Sequence, residues 1–109
     1  MYQFLEWEGF RKRRKALLTD EEYRTLQNVL LENPRVGQVM PRTGGFGRIR
    51  VKRGGGGKRG GFRVIYYCHE APGVIHLLML FAKNEQTKLT ADQERVLKGL
   101  AMGIKVRKE

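Results

Sequence analysis

Apolar residues begin in a short alternating stretch, take up helical spacing, alternate strictly through the middle of the chain and return to helical spacing at its end. Tyr2 to Trp7 alternates weakly and is rich in aromatics, which predicts a short first strand. Phe10, Arg14, Leu17 and Leu18 then fall on one helical face, with Arg11, Lys12, Arg13 and Lys15 turned outward. Thr19-Asp20-Glu21-Glu22 is a capping box: the threonine hydroxyl and the glutamate carboxylate satisfy first-turn N–H groups, and the acids suit the positive end of the helix dipole. The second helix it opens carries Tyr23, Leu26, Leu30 and Leu31 as its apolar stripe. Asn33-Pro34 ends that helix, because a residue before proline is pushed out of the helical region.

A linker with Gly37, Pro41, Gly44 and Gly45 leads to Arg48-Ile49-Arg50-Val51-Lys52, where period two predicts a strand with one apolar and one cationic face. Gly54 to Gly57 and Lys58-Arg59-Gly60-Gly61 form a connection with too few side chains to pack. Phe62 to His69 reads as the next strand. The turn Glu70-Ala71-Pro72-Gly73 reverses the chain into Val74 to Phe81, nearly all apolar and so expected inside the sheet. Thr90-Ala91-Asp92-Gln93 is a second capping box, and Val96, Leu97, Leu100, Ala101 and Ile104 line the helix it opens. Gly99 and Gly103 weaken that helix by about 1 kcal/mol each relative to alanine, so it leans on packing or on a partner. The expected fold is a single α+β domain over residues 1–109, a small antiparallel-rich sheet with helices packed on one face, in the order β-α-α-β-β-β-α.

Charge changes what the other sheet face means. The chain has 22 Lys and Arg against 11 Asp and Glu, a formal net charge of +11. Nine of the basic residues and no acidic ones lie between Glu32 and Glu70, while the rest of the chain is nearly balanced. A local cationic excess of this kind suits a polyanion, with a solvated basic surface or an acidic protein partner as the plainer readings. Alternation places Ile49, Val51, Phe62, Val64, Tyr66 and Cys68 inward. It places Arg48, Arg50, Lys52, Arg63, Tyr67 and His69 together on an exposed face. Phosphates relieve the repulsion among those cations, and Tyr67 either stacks on a base or sits as an amphipathic sheet residue.

Other chemistry is poorly supported. Gly54 to Arg59 lacks the spacing of a P-loop, and Arg50 stands where a dinucleotide fingerprint needs its third glycine. Cys68, the single cysteine, excludes an internal disulfide and falls on the inward set, as expected of a structural thiol. His69 and His76 without a carboxylate cluster make weak metal ligands, so neither metal nor cofactor is expected. His76 reads as a satisfied sheet histidine, while His69 keeps a chance of acid–base work. No apolar run approaches the ~20 residues of a membrane helix. The acidic amino terminus does not read as a secretory signal, and the expected location is the cytoplasm.

Several stretches together resemble HigB-type toxins of the RelE superfamily: Leu18-Thr19-Asp20-Glu21-Glu22-Tyr23, Asn33-Pro34, Thr43-Gly44-Gly45 with Ile49-Arg50-Val51, Lys58-Arg59-Gly60-Gly61-Phe62-Arg63-Val64-Ile65-Tyr66-Tyr67, and Lys83-Asn84-Glu85. The resemblance implies a RelE-like fold and the toxin of a type II toxin–antitoxin pair. Such a toxin cleaves mRNA in the ribosomal decoding site, next to ribosomal RNA, and is neutralised by a helix-turn-helix, HigA-like antitoxin. The substrate's 2′-hydroxyl attacks the adjacent phosphorus, so the protein must activate that hydroxyl, stabilise phosphoryl charge and protonate the leaving oxygen. Arg63 matches the arginine of this strand in RelE toxins, and its fork suits two phosphoryl oxygens. Arg48 and Arg50 stand where family members carry lysines, which leaves Lys52 or Lys83 as general acid or base. Lys58, Arg59, Tyr67 and His69 join Arg48 and Arg50 as expected RNA contacts. The C-terminal catalytic tyrosine of some members has no counterpart, since residues 84–109 contain no tyrosine. A non-catalytic RNA-binding domain and a ParE-like gyrase inhibitor on the same fold are the competing readings.

Overall fold

The computed structural model describes residues 1–52, 61–82, 85 and 88–107. Strand β1 (Gln3–Glu6) leads into helices α1 (Glu8–Leu17) and α2 (Asp20–Glu32). A two-residue strand β2 (Gln38–Val39) follows, then β3 (Gly47–Lys52), β4 (Gly61–His69), β5 (Val74–Ala82) and α3 (Ala91–Lys105). The seven expected elements are present, and β2 is an eighth, too short to leave an alternation pattern. Both capping boxes close: the Glu22 amide donates to the Thr19 hydroxyl at 3.0 Å, and the Gln93 amide donates to the Thr90 hydroxyl at 3.1 Å.

The sheet runs β1-β5-β4-β3-β2. Pairs joined by hairpins or short loops are antiparallel, as expected, but β1 lies parallel to β5 at the far edge. Alternation within a strand reports its faces and carries no information about the direction of a neighbour distant in sequence. At β1, the Arg14 guanidinium donates to Glu6 at 2.9 Å and lies 4.4 Å over the Tyr23 ring, while the Tyr23 hydroxyl also donates to Glu6. One carboxylate thus ties both helices to the edge strand.

The expected single helical layer is wrong. Phe10 of α1 and Leu26 and Leu30 of α2 cover one face, packing with Ile49, Val51, Phe62, Val64, Tyr66, Ile75 and Leu77. Helix α3 packs on the opposite face, where Leu97, Ala101 and Ile104 bury Ile65, Tyr67 and Leu78. The physical reason lies in β4 and β5, which carry large apolar side chains on both faces and cannot leave either wet. A bulge reinforces this: Ile65 pairs with Met79 and Tyr66 with Leu77, so Leu78 is an extra residue and both Leu78 and Met79 face α3.

His76 is a buried polar residue of the second face, 7% exposed, and accepts a 3.0 Å hydrogen bond at Nδ1 from the Trp7 indole. It is the satisfied sheet histidine expected. Burial, helped by the nearby charges of His69 and Arg107, holds its pKa below the ordinary 6.5. Among the described residues no helix is long and apolar enough to cross a membrane.

Two outcomes follow from the double-sided core. Ile65→Ala, harmless on a one-sided sheet, is expected to cost about 2–5 kcal/mol in urea unfolding, because Ile65 is fully buried. Folding also depends on a neutral His76: the unfolded chain takes up a proton near pH 6.5 and the folded chain only below it. Stability from this residue is therefore complete above pH 6.5 and is lost as pH falls through the lower folded value. Unfolding free energy measured against pH is expected to drop more steeply below pH 6.5 in the wild type than in His76→Phe.

Candidate functional site

Strand β3 supplies the core of the site. Ile49 and Val51 are buried against α1 and α2, so Arg48, Arg50 and Lys52 point to the face that α3 shares. The β3–β4 register sets Arg50 directly opposite Arg63 and Arg48 opposite Ile65. On its other side Arg63 faces Phe81 of β5. Two like charges in directly opposed positions, with Cβ atoms about 4.5–5.5 Å apart, destabilise a ladder. Here they border a recess of about 330 Å³ lined by Gln38, Arg48, Arg50 and Arg63.

Four carboxylates elsewhere pair with other cations: Glu70 with Arg35, Glu94 with Arg42, Glu85 with Arg13 and Glu6 with Arg14. Among the described residues no carboxylate pairs with Arg48, Arg50 or Lys52. The recess is therefore a place of concentrated positive charge fitted to an anion. Arginine presents five N–H donors in a fixed fork and keeps its proton, so the recess offers charge and hydrogen bonds rather than a proton acceptor. Among the described residues no group of three His, Cys, Asp or Glu side chains is placed to hold a metal ion.

Not every expected contact is here. Tyr67 is buried at 7% exposure, its ring 5.2 Å from that of Phe46 and beneath Gly45, so it has no free face for a base. The expectation of an exposed Tyr67 is corrected by the loop and helix that cover it. His69 stands six residues beyond Arg63 on β4, about 20 Å along the strand, with its ring 6.4 Å from His76. It belongs to the other end of the sheet and not to the arginine recess. Lys52 extends the cationic row as an exposed side chain at the end of β3. Lys58, Arg59 and Lys83 lie outside the described residues. Cys68 is half-buried, and burial pushes its thiol pKa up, which suits a structural role and not a nucleophile. No family model matches the chain.

Gln38 is the contributor that sequence reasoning missed. It sits on β2 opposite Arg48, and that placement depends on Tyr66. The Tyr66 hydroxyl donates to the Pro34 carbonyl at 2.9 Å and accepts from the Gly37 amide at 2.9 Å, fixing the turn that delivers β2 to the sheet edge. A lone glutamine in a linker gives no signal of this.

An anion that fills the recess is expected to stabilise the fold. Tripolyphosphate at a hundredfold excess over its Kd should add about 2.7 kcal/mol and raise the Tm by roughly ten degrees. Arg50→Gln should shrink that rise, and 1 M NaCl, where screening acts over about 3 Å, should abolish it. Differential scanning fluorimetry reads both.

Proposed function

We propose that this chain is a ribosome-dependent mRNA endonuclease, the toxin of a type II toxin–antitoxin pair, which works in the cytoplasm and is neutralised by a helix-turn-helix antitoxin. The observation that carries the reading is the pairing of Arg50 with Arg63 beside Arg48 in one recess. The HigB-like run from Lys58 to Tyr67 adds to it.

In this mechanism the scissile phosphodiester of mRNA enters the recess and the ribose 2′-oxygen attacks phosphorus. The O2′–P bond forms and the P–O5′ bond breaks. The 2′ proton passes to a base, the leaving 5′-oxygen gains a proton, and the products are a 2′,3′-cyclic phosphate and a 5′-hydroxyl. Arg63 clamps the non-bridging oxygens as charge builds on them, and Arg48 and Arg50 add electrostatic stabilisation. Lys52, exposed at the end of the row, is the described residue assigned to proton transfer. A second reading, a non-catalytic RNA-binding domain, is favoured by one feature of the recess: its three cations are arginines, which neither accept nor give up protons near neutral pH.

The two readings part on Arg63→Ala. With ribosomes programmed with mRNA, cleavage by the variant is expected to fall about 10²–10³-fold while ribosome binding is largely kept. Loss of cleavage in proportion to binding favours the binding domain. Failure of the wild-type protein to produce breaks with 5′-hydroxyl ends overturns the nuclease reading.

A further inference from the structure

Gly99 and Gly103 stand four positions apart on one face of α3, and a Cβ at either would meet nothing within 4 Å. Alanine or leucine serves a helix better at both places, so the glycines leave room at the expense of helix strength. The room belongs to a hollow of about 200 Å³ whose other walls are Trp7, His76, Leu100, Ile104 and Arg107. It shares no lining residue with the arginine recess. The recess borders β2, β3 and β4, whereas this hollow lies by β5 and the junction of β1 with α1, toward the opposite edge of the sheet.

The Trp7 bond satisfies one ring nitrogen of His76 and defines the other. Burial keeps the imidazole neutral near pH 7, and Nδ1 accepts from the indole, so the ring proton sits on Nε2. Among the described residues Nε2 has no hydrogen-bond partner, and no fully enclosed side-chain nitrogen or oxygen is left unpaired. Nε2 therefore opens onto the hollow that His76 lines. A side chain of a residue only 7% exposed thus aims an N–H donor into this space. Its direction is set in advance: the Trp7 amide donates to the Leu77 carbonyl at 3.0 Å, and the Trp7 ring lies 6.0 Å from the imidazole.

Arg107 supplies a charge at the rim. Its amide donates to the Ile104 carbonyl at 3.1 Å just beyond α3, and its positive charge is felt at the His76 ring. Among the described residues no carboxylate pairs with Arg107, and no acid lines the hollow. One N–H donor and one guanidinium match the two oxygens of a carboxylate. A phosphate brings more charge and more oxygens than they satisfy beside the apolar walls of Trp7, Leu100 and Ile104. Size narrows the choice further. An apolar cavity of about 150 Å³ takes benzene, so about 200 Å³ suits one ring with a short acid arm.

We propose that this hollow binds a small free carboxylic acid carrying one apolar ring, of the size of phenylacetate. The ring lies along the Gly99–Gly103 stripe against Trp7, and the carboxylate accepts from His76 Nε2 and from Arg107. The acid so placed ties α3 to β5 and to the start of α1, supporting the helix that the two glycines weaken. The site stands apart from the nuclease reading.

The chain reports on the site itself, because Trp7 is its single tryptophan. Phenylacetate, added to the full chain up to about 20 mM, is expected to change Trp7 emission saturably, with a Kd on the order of 1 mM or below. Phenylacetamide, which keeps the shape without the charge, and acetate, which lacks the ring, should each bind about tenfold more weakly. N-acetylphenylalanine, which adds a peptide group to the same ring and acid, should also bind more weakly than phenylacetate. His76→Phe should weaken phenylacetate about tenfold, and Arg107→Gln should bring acid and amide within about twofold of each other. Gly103→Leu places a side chain in the hollow and favours the helix, so it should abolish the response while keeping or raising the Tm. Arg107 is exposed, so its variant keeps the test decisive if a buried one fails to fold. Emission that does not saturate, equal binding of acid and amide by the wild type, or binding unchanged in Gly103→Leu overturns the site. Tighter binding of N-acetylphenylalanine than of phenylacetate overturns the free acid and assigns the hollow to a chain terminus.

Discussion

Ile65, Tyr67 and Leu78 need a nonpolar cover that α1 and α2, occupied on the opposite face of the sheet, have no means to supply. Helix α3 meets that need, and the loop from Met40 to Phe46 completes the cover by placing Phe46 against Tyr67. The apolar residues that call for this cover end where the arginines begin. Ile65 sits under it, while its partner Arg48 and the next pair, Arg50 and Arg63, border the recess. One sheet face thus serves two purposes along its length: burial where both strands are apolar, and an open cationic end where they are not.

The cationic end is a local conflict that folding tolerates. Arg50 and Arg63 stand directly opposed in the β3–β4 ladder, and like charges in such positions raise its energy. An apolar core on both faces of the sheet holds the strands together against it. Arg42 shows the same economy in backbone form. Arg42, at φ 63°, precedes the buried Thr43 hydroxyl and the close-packed Gly44 in its loop and makes two hydrogen bonds to Glu94 of α3. Local conflict supported by a well-packed frame is what a preformed binding site requires.

Much of the site was legible before the fold was known, since alternation in β3 and β4 correctly separated Ile49 and Val51 from Arg48 and Arg50, and Phe62 and Val64 from Arg63. Tyr67 and His69 share that alternation and yet leave the site. Period two tells which face a side chain takes and says nothing of what lies on the face or how far along it a residue stands. Tyr67 is removed by the cover of Phe46 and Gly45, and His69 by distance. Gln38 was illegible for the opposite reason. It reaches the site through pairing across the sheet edge, which leaves no local pattern.

By itself the sequence determined the elements and their polarity: two capped helix starts, a basic strand, a strand apolar on both faces, and the concentration of positive charge between Glu32 and Glu70. These are local properties, set by backbone sterics, capping and side-chain periodicity over a few residues. Tertiary structure alone decided that β1 runs parallel to β5, that α3 takes the second face, and which of the cations meet. Those outcomes depend on covering apolar surface from both sides and on a pairing register set across the whole sheet. Both are settled by contacts between residues far apart in the chain.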